Sequence, residues 1–150
     1  MTPDALRAAL IGAWRLVSYE ATDIETGQVV EPFGPRPGGL ITYGRDGRMS
    51  AQIMRIGRPE FRHGRLEEGL PEELAAAAAG YLAYAGTFEV PSADTVVHHV
   101  ELSLFPNWVG GAQTRIAHVD GSVLRLSLPG SGRIWGAVRT GVLTWERAGR

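Results

Sequence analysis

Alternation of apolar and polar residues with a period of two dominates this chain and predicts short β-strands. The alternating segments are separated by clusters of Gly, Pro, Asp and Ser, which are typical of turns. The predicted strands are Trp14–Ala21, Gln28–Glu31, Leu40–Tyr43, Met49–Met54, Thr87–Val90, Thr95–Phe105, Gln113–Val119, Ser122–Leu128 and a last strand within Ala137–Arg147. The pattern therefore indicates eight to ten short strands.

Helical spacing is confined to two places. A short N-terminal helix is predicted from apolar residues three to four apart after the start signal Thr2-Pro3-Asp4, and Gly12 ends it. A longer helix is predicted over Pro71–Ala85, because proline opens it, two glutamates occupy its first turn and its alanine run has high helix propensity. Gly86 is the expected stop of this helix.

Tight turns between successive strands predict an antiparallel sheet. Asp46-Gly47 and Asp120-Gly121 are typical two-residue hairpin turns, and hairpins join antiparallel neighbours. An antiparallel sheet with this many strands closes into a barrel or folds into a sandwich. We therefore expect an all-β fold with one domain over residues 1–150, and the long helix packed outside the sheet or plugging one end.

Several segments resemble the bacterial lipocalin-like domain family. They are the G-x-W opening Gly12-Ala13-Trp14, then Tyr84–Val90, His98–Glu101, Pro106–Gly110 and Gln113–Arg115. The resemblance runs over nearly the whole chain and implies a lipocalin-like antiparallel β-barrel with an interior pocket. It also implies that Arg147 stacks on Trp14 and closes one end of the barrel, a favourable cation–π contact. The resemblance implies no single activity.

Composition narrows the chemistry further. The chain has 150 residues, no cysteine and a formal net charge of -1, and all fifteen basic residues are arginines. Lysine and thiol nucleophiles and disulfides are thereby excluded, and the balanced charge argues against a nucleic-acid partner. No apolar run is long enough for a membrane helix, so no membrane partner is expected. We expect a cytoplasmic protein; its oligomeric state stays open, with a homodimer as one option.

No cofactor or metal site is expected from the motifs. The chain lacks a G-x-S-x-G elbow, and its glycine-rich segments lack the strand–loop–helix setting of a nucleotide site. Because neighbouring residues of a strand point to opposite faces, His98 and His99 are poorly placed to bind one metal ion. In the alternating pattern His98 shares the apolar, interior face with Leu102 and Leu104, whereas His99 points outward.

The interior face supplies the candidate catalytic residues. His98 is either a structural histidine whose ring nitrogens are hydrogen-bonded within the fold or a general base in a dry cavity. Arg115 and Gln113 are expected to point inward, as the resemblance implies, and Arg115 would stabilise an oxyanion. Glu20 is either a solvated rim carboxylate or a partner that orients Arg115 or His98. Tyr84, on the predicted helix, either packs that helix against the barrel or places its hydroxyl in the cavity.

Other residues are expected to contact the ligand without reacting. Trp108 follows a Pro-Asn break at a strand end, where it could be a lid or a stacking plate for an aromatic ligand. Methionines are adaptable fillers that suit an irregular pocket. The remaining predicted substrate contacts are Tyr43, Met54, Phe88, Gln113 and Leu126.

Three hypotheses about function remain. The first is a cofactor-free isomerase or cyclase that acts on an oxygenated, largely apolar substrate of polyketide type, and the inward ionisable residues favour it slightly. The second is a carrier or sequestering protein for a small hydrophobic ligand. The third is a structural domain with a filled core, which predicts no cavity.

Overall fold

Ten antiparallel strands form one sheet, and eight of them close into a barrel in the computed structural model, which describes residues 1–149. The strands are β1 (Gly12–Asp23), β2 (Val29–Val30), β3 (Gly38–Tyr43), β4 (Arg48–Met54), β5 (Tyr81–Ser92), β6 (Thr95–Ser103), β7 (Ala112–Asp120), β8 (Val123–Ser127), β9 (Gly132–Ile134) and β10 (Ala137–Arg147). The helices are α1 (Pro3–Leu10) and α2 (Pro71–Ala79). The predicted all-β, lipocalin-like barrel is thereby confirmed.

The barrel closes where β1 pairs with β10. Going round it, the order is β1, β3, β4, β5, β6, β7, β8 and β10, while β2 and β9 are short additions beside β1 and β10. Strands joined by tight turns pair with their sequence neighbours, as β3 does with β4 and β7 with β8. Closure removes the unpaired edges that an open sheet would leave.

Helix α1 covers one end of the barrel. Its Leu6 and Leu10 are buried in the core, and the Trp14 indole N–H donates to the Leu10 carbonyl at 2.9 Å. Arg147 lies over the Trp14 ring at 4.0 Å and donates to the carbonyls of Ile11 (2.9 Å) and Ala9 (2.7 Å). The guanidinium thus caps the carboxyl end of α1, where a positive charge is stabilising.

The predicted helix over Pro71–Ala85 is wrong in its second half. Helix α2 ends at Ala79, and β5 begins at Tyr81. Residues 81–85 pair with Met54–Ser50 of β4, and this pairing overrides the helix propensity of the alanines. Helix α2 has no buried residue and lies outside the barrel. It is also the longest helix, so no helix in the described part of the chain could span a membrane.

Two β-bulges reverse the inward and outward faces that strict alternation predicts. In β1 the register shifts between Leu16 and Ser18, and in the β5–β6 pair one extra residue, Glu101, separates Val100 from Leu102. Beyond the first bulge Glu20 points outward and is exposed, and beyond the second Leu102 is 70% exposed. The inward placement of Leu102 and Leu104 and the inward option for Glu20 are therefore wrong.

Gly86 is a bulge residue and does not end a helix. A Cβ at this position would lie 1.8 Å from the His99 carbonyl oxygen and 3.0 Å from the Glu101 nitrogen, so the two backbones approach too closely for a side chain. Only glycine allows β5 and β6 to pair across the bulge.

We predict that Gly86→Ala lowers the free energy of unfolding by at least about 2 kcal/mol, because the added methyl must push two strands apart. Urea unfolding followed by circular dichroism measures this loss. Gly64→Ala is the matched control, since a Cβ there meets nothing within 4 Å and is expected to leave stability nearly unchanged. Equal stability of the two variants would contradict the close approach.

Candidate binding site

A cavity of about 430 Å³ occupies the end of the barrel away from α1. This volume falls within the range of small-molecule sites. Most of its wall is apolar and is built from inward residues of all eight barrel strands together with residues of β9 and of the loops. The wall residues are Tyr19, Phe33, Ile41, Ala51, Ile53, Leu82, Tyr84, His98, Trp108, Gln113, Arg115, Leu126, Leu128, Gly132, Arg133, Ile134, Trp135, Leu143 and Trp145.

His98 lies at the floor of this cavity, between the open half of the barrel and the filled core. Both of its ring nitrogens are occupied: the Tyr43 hydroxyl lies 2.7 Å from Nε2 and the Tyr84 hydroxyl 2.8 Å from Nδ1. The residue is 1% exposed. Burial, with the nearby positive charges of Arg115 and His99, lowers the pKa of His98 from 6.5 to about 3, so the ring is neutral at pH 7.

The two tyrosines differ in what surrounds them. Tyr84 is part of the cavity wall, whereas Tyr43 lies behind His98 and packs edge-on against Phe88 at 4.8 Å. Burial raises the pKa of Tyr84 to about 12, although the positive charge of Arg115 opposes the shift. Burial likewise raises the pKa of Tyr43 well above its usual value. Both hydroxyls therefore keep their protons at pH 7.

Arg115 brings a positive charge to the cavity wall. Its guanidinium donates to Gln113 Oε1 at 3.1 Å and to the Thr114 carbonyl at 2.8 Å. No carboxylate of residues 1–149 forms an ion pair with it. Gln113, Arg115 and Ala117 share the inward face of β7. The cavity thus contains a half-buried cation whose remaining donors can bind an acceptor oxygen.

Aromatic residues surround the mouth of the cavity. Phe33, from the Pro/Gly-rich loop after β2, stacks on Tyr19 with 6.1 Å between the ring centroids. Trp108 packs edge-on against Tyr84 with 5.5 Å between the ring centroids. Trp135, between β9 and β10, is 60% exposed and adopts a left-handed backbone with φ 51°. Arg139 donates to the Trp135 carbonyl at 2.9 Å and holds this turn in place.

Six of the ten side chains predicted for the site lie on the cavity wall, and four do not. The wall includes Tyr84, His98, Trp108, Gln113, Arg115 and Leu126. Tyr84 reaches it from strand β5, although a helix was predicted there.

Four predicted site residues lie elsewhere. Glu20 is exposed on the outer face beyond the β1 bulge. Met54 faces outward because Met49, Ala51 and Ile53 occupy the buried positions of β4. Phe88 and Tyr43 point inward, but they belong to the filled core below His98 and not to the wall.

Sequence reasoning missed several wall residues. Strict alternation from Trp14 and Leu16 predicts that Tyr19 faces outward, and the β1 bulge turns it inward opposite Leu143. Trp145 and Trp135 also line the cavity. The alternation of Leu143 and Trp145 along the last strand was the available signal for β10. Nothing in the sequence pattern marked the bulge.

No group of three or more His, Asp or Glu side chains within residues 1–149 is placed to hold a metal ion. His99 points outward and lies 2.9 Å from Glu89, and His118 is exposed on β7. Beside the hydrogen-bonded pair of His98 and Tyr84, the polar side chains on the cavity wall are Tyr19, Gln113, Arg115 and Arg133.

Two comparisons with known proteins agree with this architecture. The family model described as Lipocalin-like domain matches residues 11–148. The chain is also similar to the 4'-hydroxy-3'-methoxypropiophenone carrier protein ppsC of Aspergillus oryzae, with 41% identity over 109 residues. The aligned segment covers 68% of this chain and 98% of that protein.

We predict that burial of His98 makes the protein less stable as the pH falls from about 6.5 toward 3. In this window the unfolded histidine binds a proton and the folded one, with its pKa near 3, does not. Protons therefore favour the unfolded state, and between pH 7 and pH 5 the loss is about 2 kcal/mol. Urea unfolding at both pH values measures it.

His98→Gln should flatten this dependence, because a neutral amide has no proton to gain. The matched control is His118→Gln, an exposed site that should leave the slope unchanged. Measuring above pH 5 avoids the carboxylates, which titrate at lower pH. An unchanged slope in His98→Gln would contradict a neutral buried imidazole.

Proposed function

This chain belongs to the lipocalin-like domain family, and on that premise we propose that its barrel is a carrier for a small aromatic molecule bearing an acceptor oxygen. The observation that carries the proposal is a largely apolar wall that contains hydrogen-bond donors, among them Arg115 and Tyr84, and, within residues 1–149, no carboxylate. Such a site buries a flat apolar body and orients it by one polar contact.

An aryl ketone is the ligand class that these features favour. The aromatic residues at the mouth, among them Trp108 and Phe33, suit a planar ring. The free donors of Arg115 suit a carbonyl or carboxylate oxygen, since a guanidinium has donors only. The similar Aspergillus protein is named as the carrier of such a compound, which makes 4'-hydroxy-3'-methoxypropiophenone the first probe.

The low pKa and the hydrogen bonds of His98 favour transport without reaction. A general base works best with a pKa near the operating pH, whereas that of His98 is about 3 and both ring nitrogens are occupied. No carboxylate on the wall replaces it as a base. The cofactor-free isomerase or cyclase, with His98, Arg115, Tyr84 and Glu20 in catalytic roles, stays a prediction that the same experiment tests.

The test titrates the protein with 4'-hydroxy-3'-methoxypropiophenone and follows tryptophan fluorescence. Trp108, Trp135 and Trp145 line the cavity and should be quenched on binding. After long incubation the compound is extracted and analysed by chromatography and mass spectrometry. Saturable quenching and unchanged compound support a carrier. A product of equal mass and different retention would support the isomerase instead, and no binding of any aryl ketone would overturn the proposal.

We predict that Arg115→Met weakens binding of this ketone by about tenfold or more, because a charge-assisted hydrogen bond is lost. Isothermal titration calorimetry measures the change in Kd. The matched control is Arg125→Met on β8, where the side chain is exposed on the outer face and pairs in register with His118. Equal Kd values for Arg115→Met and Arg125→Met would exclude Arg115 from the ligand contact.

A further inference from the structure

We propose that Tyr43 and His98 form a positioning relay that aims the Tyr84 hydroxyl proton into the cavity, where it selects ligands with a carbonyl oxygen. This inference rests on the proposed binding function and names the group that the site recognises. Its basis is the chain of two short hydrogen bonds from Tyr43 through His98 to Tyr84.

The first step is the direction of the hydrogen bond at Tyr43. The side chain is 1% exposed, and within residues 1–149 the only hydrogen bond of its hydroxyl is to His98 Nε2. If the hydroxyl accepted from an Nε2–H, its own proton would be buried without an acceptor, which is costly. Tyr43 therefore donates to Nε2.

The second step fixes the tautomer of His98. A neutral imidazole carries one N–H and one bare nitrogen. Since Nε2 accepts from Tyr43, the proton lies on Nδ1, and Nδ1–H donates to the Tyr84 oxygen across 2.8 Å. Protonation of both nitrogens does not compete at pH 7, because the pKa of His98 is about 3.

The third step concerns the free proton of Tyr84. Its oxygen already accepts from His98, so the O–H must find an acceptor elsewhere. Tyr84 lines the cavity, which provides room for a ligand atom, and within residues 1–149 its hydroxyl forms no hydrogen bond besides the one to His98. A ligand thus meets the Tyr84 hydroxyl and the Arg115 guanidinium as donors. A carbonyl oxygen, which has two lone pairs and no proton, can accept from both.

The relay makes Tyr43 a specificity residue although it does not touch the ligand. Removing its hydroxyl frees His98 to take either tautomer. When the proton moves to Nε2, the bare Nδ1 accepts the Tyr84 proton, and the ligand loses one donor. The effect should fall on compounds with a carbonyl group and spare those without one.

The experiment compares 4'-hydroxy-3'-methoxypropiophenone with 2-methoxy-4-propylphenol, in which CH₂ replaces the ketone C=O. The preference for the carbonyl is measured as the Kd of 2-methoxy-4-propylphenol divided by the Kd of the ketone. Tyr84→Phe should reduce this ratio by about tenfold, the value of one hydrogen bond, and Tyr43→Phe should reduce it by a smaller factor in the same direction. The matched control is Tyr81→Phe, whose hydroxyl binds Gln52 at 2.6 Å and does not line the cavity.

A second readout needs no ligand. Long-range ¹H–¹⁵N NMR spectra at pH 7 distinguish a protonated from a bare ring nitrogen, and His98→Gln identifies the His98 signals by their loss. The expected result is a protonated Nδ1 in the wild type and a mixed tautomer in Tyr43→Phe. A merely structural role for Tyr43 would change stability without moving either the tautomer or the Kd ratio.

The outcomes separate this inference from the proposed function. An Nε2–H tautomer in the wild type, or a Kd ratio unaffected by both Tyr84→Phe and Tyr43→Phe, would overturn the relay while leaving a binding barrel intact. A change of the ratio in Tyr84→Phe alone would overturn the role of Tyr43. If neither compound binds the wild type, the proposed function fails and carbonyl selection fails with it, while the NMR spectra still decide the direction of the hydrogen bonds.

Discussion

The pairing of the first long strand with the last is the interaction on which this structure depends. It turns an open sheet into a barrel with an inside, and Arg147 secures the junction by stacking on Trp14 and binding the carboxyl end of α1. These contacts join residues more than a hundred positions apart, which is why neither end of the chain can form them locally. The packed core around Trp14, Leu6 and Leu10 then occupies the half of the barrel that α1 covers.

The other half stays open, and the boundary between the halves is where polar groups appear. An imidazole that is out of water must have both nitrogens paired, and two tyrosines meet that requirement for His98. Because one tyrosine lies in the core and the other on the cavity wall, the pairing is directional. Arg115 adds a charge on the same wall. The result is a site with several hydrogen-bond donors and, in the described part of the chain, no carboxylate, and this property supports the proposed binding of a ligand with an acceptor oxygen.

The sequence was sufficient for the features that depend on local alternation. Most strands, the inward faces of His98, Gln113 and Leu126, and the stacking of Arg147 on Trp14 all followed from period two or from the resemblance. The errors arose where a distant strand decides the outcome. Residues 81–85 are intrinsically helical and become a strand because β4 is available to pair with them. A bulge is likewise a property of a pair of strands, so the pattern of one strand cannot reveal it.

The two bulges have a consequence for how such chains are compared. Each bulge holds one surplus residue, and the residues on either side of it keep the orientation they would have without it. Leu16 and Tyr19 both point inward around the first bulge, and around the second Val100 points inward and Leu102 outward. A one-residue insertion is therefore absorbed in the strand and does not alter the ligand-facing set. Alignments of related chains should place single-residue gaps at these points, and an alignment that carries the gap elsewhere would assign the wrong side chains to the cavity.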